Sequence, residues 1–253
     1  MFPNNKSLII FITGGDPSIE TTEKLIPEMV NAGADLIEIG IPFSDPVAEG
    51  PVIQAASQRA LANGTTTDKL LEMVARLRRN VQIPILFMTY LNPIYVYGKE
   101  RFLSACRDSG INGLIVPDMP FEEKGELSEE CAQFGIALVS MAAPTSRERV
   151  AMIAKEAEGF LYCVSSLGVT GMRSEIKSGI ETIVAEAKKF TEIPCAIGFG
   201  VSNAEQARKM SKIADGVIVG SAVVKIIEQY GHDCIEPVKQ FVRSLKEAME
   251  KDE

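Results

Sequence analysis

Eight short apolar runs recur along the chain, at about 8–13, 35–41, 83–88, 113–117, 136–141, 159–164, 193–198 and 215–219. They are continuous rather than alternating, as in LIIFIT, LIEIGI, IPILFM and GVIVG. A strand with one wet face alternates, whereas a strand covered by helices on one side and a core on the other is apolar throughout. The runs therefore predict parallel strands. Between them the apolar positions take helical spacing. Leu70, Leu71, Val74 and Leu77 share one face of 67–80, and Ile235, Val238, Phe241, Val242 and Leu245 share one face of 233–250. Gly33, Gly110, Gly135 and Gly159 stand just before strand runs, where a helix is expected to end. Eight strands alternating with helices predict an α/β chain, a single closed (β/α)8 TIM barrel spanning 1–253. The alternative is an open doubly wound sheet, but no GxGxxG follows the first strand.

The spacing breaks once. About 40 residues separate the second run from the third, and the excess holds SDPVAEG followed by a helical stretch, PVIQAASQRALANG. An added helix after strand two is expected there. Barrel enzymes build their sites from the loops that follow the strands, so this enlarged loop is a place to look for chemistry.

Composition narrows the function. With 26 Lys+Arg against 34 Asp+Glu the net charge is −8, and no basic patch is evident, which disfavours a polyanion as partner. The five Cys are odd in number and show no CxxC spacing. They read as reduced, mostly buried thiols of a cytoplasmic protein. A single His, His232, argues against a His-rich metal site or a Ser-His-Asp triad. The start has neither the cleavage pattern of a signal peptide nor the ~20 apolar residues of a membrane span.

Glu38 is the one clear charge inside a strand run, in Leu36-Ile37-Glu38-Ile39-Gly40. Leu36 and Glu38 share a face, which near the strand's end can point into the barrel mouth. No Lys or Arg lies within any run to pair with it, so its pKa should be raised, as suits a general acid/base. The other reading is a structural carboxyl bonded to loop amides. Glu49 lies eleven residues on, before the added helix, and could be a second carboxylate facing Glu38. It could equally be an acid stabilised by a helix N-terminus, as Asp45 could be a turn former.

Gly198-Phe199-Gly200 ends the seventh run, and Gly220-Ser221 opens a helix after the eighth. Phosphate is often bound in barrels at these two loops, on backbone N–H groups at a helix N-terminus. SSLGVTGMRSEIKSG, after the sixth run, reads as a lid or as an ordinary surface loop. Within it Thr170 could orient a catalytic carboxyl and Gly171 could approach a phosphate.

IEIGIPFSDPVAEG closely resembles the signature of the tryptophan synthase α subunit. FITGGDP, TYLNP, VPDMP, the GVTG lid, GFGVS and VGSAVVKIIE are similar to that family in its order, over essentially the whole chain. The resemblance implies a lyase that cleaves indole-3-glycerol phosphate to indole and glyceraldehyde 3-phosphate by a retro-aldol reaction. It implies Glu38 as the principal acid/base and Glu49 as the carboxylate that bonds the indole N–H. Most members carry Asp at the second position, in A-D-G, and this chain carries Glu. The resemblance further implies indole-facing positions at Phe11 and Tyr90, a site-lining position at Tyr162, and phosphate-loop positions at Gly171, Gly200, Gly220 and Ser221. For Phe11, Tyr90 and Tyr162, plain core packing is the competing reading. The family's partner is a pyridoxal-phosphate β subunit, in an α2β2 assembly, which Pro42, Asp45 and the 91–98 loop with Asn92 would face. No cofactor is implied in this chain itself. Two other functions stay open: a stand-alone lyase releasing indole, and a mainly regulatory subunit whose catalysis Glu49 cripples.

Overall fold

The computed structural model describes residues 6–164, 177–198 and 200–251. Eight strands among them pair in parallel in sequence order and close on themselves, the eighth against the first. They are β1 (Ser7–Thr13), β2 (Leu36–Gly40), β3 (Ile85–Met88), β4 (Gly113–Ile115), β5 (Ala137–Ala142), β6 (Leu161–Val164), β7 (Cys195–Gly198) and β8 (Gly216–Val219). Each falls within or beside an expected apolar run. The helix α1 (Ile19–Asn31) follows β1, and α2 (Pro51–Ala62) and α3 (Thr67–Leu77) follow β2. After β3 come α4 (Leu91–Tyr97) and α5 (Lys99–Ser109). Then α6 (Gly125–Gln133), α7 (Arg147–Lys155), α8 (Lys177–Ala187) and α9 (Ala204–Ser211) follow β4 to β7 in turn. Two helices, α10 (Ser221–Tyr230) and α11 (Ile235–Glu250), follow β8. The added helix after the second strand is α2.

The two faces of each strand are buried for different reasons. Leu8, Ile10, Ile12, Ile37 and Ile39 point outward into the layer between strands and helices. Ile9, Leu36, Leu86, Ile115, Val139, Ala196 and Ile218 point inward and fill the barrel. Each of the Ile, Leu and Val side chains, fully buried, contributes about 1.5–3 kcal/mol. This double burial is why the runs are continuous. The four glycines placed before strands all have positive φ, from 67° to 108°. At Gly33 a Cβ would also meet Cγ of Lys246 at 2.6 Å, so both backbone and space exclude a side chain there.

The element bounds differ from the apolar pattern at two helices. The third helix ends at Leu77 rather than near 80. Beyond it, Arg78 turns back to donate to the carbonyls of Val81, Ile83 and Gly110, which ends the helix in a bonded turn. The last helix begins at Ile235, after a one-turn 3-10 segment at Gly231–Asp233.

Three segments meet on one side of the mouth. Phe11 of β1, Ile53 and Ala56 of α2 and Val224 of α10 form one apolar cluster. Arg59 of α2 crosses it on the outside. Its Nε and Nη2 donate to both carboxylate oxygens of Asp16 at 2.9 Å, and its Nη1 to Glu228 Oε1 of α10 at 3.0 Å. Asn63 adds a bond to the Pro17 carbonyl at 2.7 Å.

Candidate active site

Glu38 sits in the middle of β2, in register with Phe11 on one side and Leu86 on the other. Leu36 on the same face belongs to the barrel interior, so strand periodicity aims Glu38 inward. It is fully buried, and among the described residues neither of its carboxylate oxygens has a hydrogen-bond partner. No described loop amide satisfies it. Burial alone pushes its pKa up to about 8, because an ion without water or a counter-charge is costly. At neutral pH the group is a protonated acid.

Tyr162 of β6 faces the same interior. Its hydroxyl is held well above the usual phenol range by burial and then by the negative charge of Glu38. Gly198 on the neighbouring strand makes room for it. A Cβ at Gly198 would lie 2.3 Å from Tyr162 Cε1 and 2.5 Å from its hydroxyl. That glycine is therefore explained by the tyrosine, not by anion approach.

Glu49 lies one residue before the N-cap of α2. Its backbone carbonyl accepts from Gln54 Nε2 at 2.8 Å, and its half-buried side chain leaves Oε2 without a partner. Desolvation raises its pKa to about 7, against the opposing pull of the Tyr90 hydroxyl. A helix N-terminus favours the ionised form, whereas burial of this carboxyl works in the opposite direction. Tyr90 is buried at 2% exposure and accepts a bond from the Ala48 amide at 3.3 Å through its hydroxyl. It thereby ties the loop carrying Glu49 to the end of β3. Burial, then the charge of Glu49, raises its own pKa.

Phe11 lies between two glycines. A Cβ at Gly40 would meet its Cζ at 2.8 Å, and one at Gly220 its Cδ1 at 3.1 Å. Gly220 is the N-cap of α10, which no side chain caps, and Ser221 opens the helix. The helix N-terminus thus presents backbone donors beside an aromatic wall, an arrangement suited to an anion attached to an apolar group. Gly200 follows β7 with a φ of 78° and open space where a Cβ would be. Thr170 and Gly171 lie outside the described residues.

The segment at 91–98, read from sequence as a loop, is largely the helix α4. Two features explain it. Asp118 accepts the Leu91 amide at 3.1 Å, capping the helix from the next strand's loop. Pro93 sits in the first turn, where its missing N–H costs nothing. Asn92 and Asp45 are exposed, whereas Pro42 is buried within the chain itself. Asp118 and Arg59 were not singled out by sequence. Asp118, at the end of its run, offered a faint signal, and Arg59 offered none.

Among the described residues no group of three or more His, Cys, Asp or Glu is placed to hold a metal ion. No helix there is long and apolar enough to cross a membrane. All five cysteines are buried free thiols.

A buried acid without a partner among the described residues, inside the mouth of a closed (β/α)8 barrel and with a second raised carboxyl on the following loop, defines an acid–base enzyme of the TIM-barrel class. The family is more definite. The family model described as tryptophan synthase alpha chain matches residues 1–252, and the chain belongs to that family. A tryptophan synthase alpha chain from Alkaliphilus metalliredigens is 47% identical over 246 residues, covering 96% of this chain and 92% of the relative. One from Geobacillus stearothermophilus is 46% identical over 235 residues, covering 92% and 87%. A solved structure of the tryptophan synthase α2β2 complex from Pyrococcus furiosus matches with a TM-score of 0.90 at 40% identity, over 97% of this chain and 99% of that one.

Proposed function

We propose that this barrel, as one catalytic domain over 1–253, carries out the α reaction of L-tryptophan biosynthesis: retro-aldol cleavage of indole-3-glycerol phosphate to indole and glyceraldehyde 3-phosphate. The observation that supports it best is Glu38, protonated at neutral pH inside the mouth. Indole is a poor leaving group until its C3 is protonated. Glu38 gives its proton to C3, forming an indoleninium. The carboxylate so produced takes the proton of the adjacent glycerol hydroxyl. The C–C bond then breaks, its electrons return to the indole ring, and the hydroxyl carbon becomes the aldehyde. One proton is given and one taken, so the acid is regenerated.

Glu49 accepts the indole N–H and stabilises the positive charge developing there. Phe11 and Tyr90 flank the indole, and Tyr162 closes the site beside Glu38. Gly200, Gly220 and Ser221, with Thr170 and Gly171 of the preceding loop, complete the phosphate end and the orientation of the carboxyl. The chain works with a β subunit in an α2β2 assembly, in the cytoplasm, and pyridoxal phosphate belongs to that partner. Exposed Val47, Tyr95 and Val96, with exposed Asp45 and Asn92, support this face as the contact, since large apolar side chains at a surface favour burial; Pro42, buried in the chain, would act by shaping the loop.

Steady-state cleavage kinetics of the chain with and without a β subunit test the reading. Activity that depends on the complex is expected. β activation without cleavage would leave only a regulatory role, and full activity alone would make the chain a stand-alone lyase. The same assay on Glu49→Asp should show kcat/KM falling by roughly 1–3 kcal/mol, because the shorter carboxylate withdraws from its partner. A several-fold gain would mean that Glu fits the site poorly.

The phosphate end needs a probe that spares the aromatic wall. Gly220→Ala presses Phe11 and should weaken both indole and glycerol 3-phosphate. Ser221→Pro removes a backbone donor at the first helical position, and with the fold retained by circular dichroism it should weaken glycerol 3-phosphate about tenfold or more with indole unchanged. Titration of both ligands checks this, and parallel loss of both in the proline variant would count against the assignment.

A further inference from the structure

The two ends of the substrate site lie on different elements. Glu49 sits on the approach to α2, and Gly220 and Ser221 begin α10. Apolar contact between Ile53, Ala56, Phe11 and Val224 presses these elements together, but such contact is non-directional and allows sliding. Arg59 supplies the missing direction. Its fork takes both oxygens of Asp16, whose side chain is 1% exposed, and its third nitrogen reaches Glu228 on α10. A planar two-pronged contact fixes orientation as well as distance.

We propose that Arg59 is a positioning residue for the reaction, holding α2 against both the loop after β1 and α10, so that the Glu49 carboxylate and the phosphate seat keep one fixed separation. The inference rests on the reading of those two ends given above. It makes a demand that a purely structural role would not. Each end should work alone, while a substrate spanning both should suffer.

Arg59→Lys keeps the charge and loses the fork. In the complex with the β subunit, kcat/KM for indole-3-glycerol phosphate should fall about tenfold. The Kd of glycerol 3-phosphate, which reaches only one end, should stay within twofold. In a Glu49→Gln background the lysine substitution should change kcat/KM less than twofold, since the group it positions is already gone. If the lysine variant does not fold, Arg59→Gln with Asp16→Asn, a neutral pair free of a buried charge, serves instead with the same expectation. Unchanged kcat/KM, parallel loss of glycerol 3-phosphate binding, or an equal loss in the Glu49→Gln background would each overturn the proposal. Wild-type turnover by Glu49→Gln alone would bring down the underlying reading of the site and the inference with it.

Discussion

Glu38→Gln is expected to lower kcat for cleavage about 10²–10⁴-fold, the usual contribution of a general acid/base, while the variant still folds and binds ligand. The amide matches the carboxyl in size and occupies a site that already holds a neutral group at pH 7. It can neither give C3 a proton nor take one from the glycerol hydroxyl. Turnover and glycerol 3-phosphate titration of the purified complex check this. A variant retaining more than about a tenth of wild-type kcat would exclude Glu38 as the proton carrier.

The same substitution should also stabilise the free chain, by an amount that grows with pH. Unfolded, the Glu38 carboxyl ionises near its ordinary 4.5, and folded it does so at about 8. Between those values the unfolded state holds fewer protons than the folded one, so stability falls as pH rises. What the protonated form contributes is fully present below about pH 4.5 and lost by the time the pH passes about 8. At roughly 1.36 kcal/mol per pH unit, that interval caps the effect at about 5 kcal/mol. Gln carries no proton to lose. Urea unfolding at pH 5 and pH 8.5 should therefore show near equality at the lower pH and a gain of a few kcal/mol for Glu38→Gln at the higher. A gap independent of pH would mean that Glu38 has solvent or a partner in the folded chain. Together the two results describe one trade: the missing counter-charge that makes Glu38 a useful acid is what makes it costly to keep.

The barrel was legible because its strands are buried on both faces. Runs such as LIEIGI admit no alternation, and the one charged residue well inside a run, Glu38, stands out for the same reason. Its raised pKa was expected from counting: no basic residue lies in any strand run, and the described residues add no partner for either oxygen. The family was legible because the order of motifs survives across the chain. Glu49 was less so. Its place before a helix suggested a dipole-stabilised acid, and only the loop's fold against Tyr90 shows it desolvated instead.

Other features depend on contacts that spacing cannot encode. Gly198 reads by sequence as part of a phosphate loop, yet its missing side chain is the space taken by Tyr162 from the neighbouring strand. The helix at 91–97 carries a proline in its first turn and has an acidic cap 27 residues away, at Asp118. Arg59 looks like any solvated charge on a helix, and its partners Asp16 and Glu228 are 43 and 169 residues distant. The sequence by itself determined the period, the burial of the strands, the acid in the middle of the second run and the family. Tertiary structure decided which glycines make room for a neighbouring side chain, what desolvates Glu49, and which side chains tie α2 to the loop after β1 and to α10. The division has a physical basis: periodicity and burial are local or averaged properties of a chain, whereas a bond between distant residues exists only once the barrel has closed.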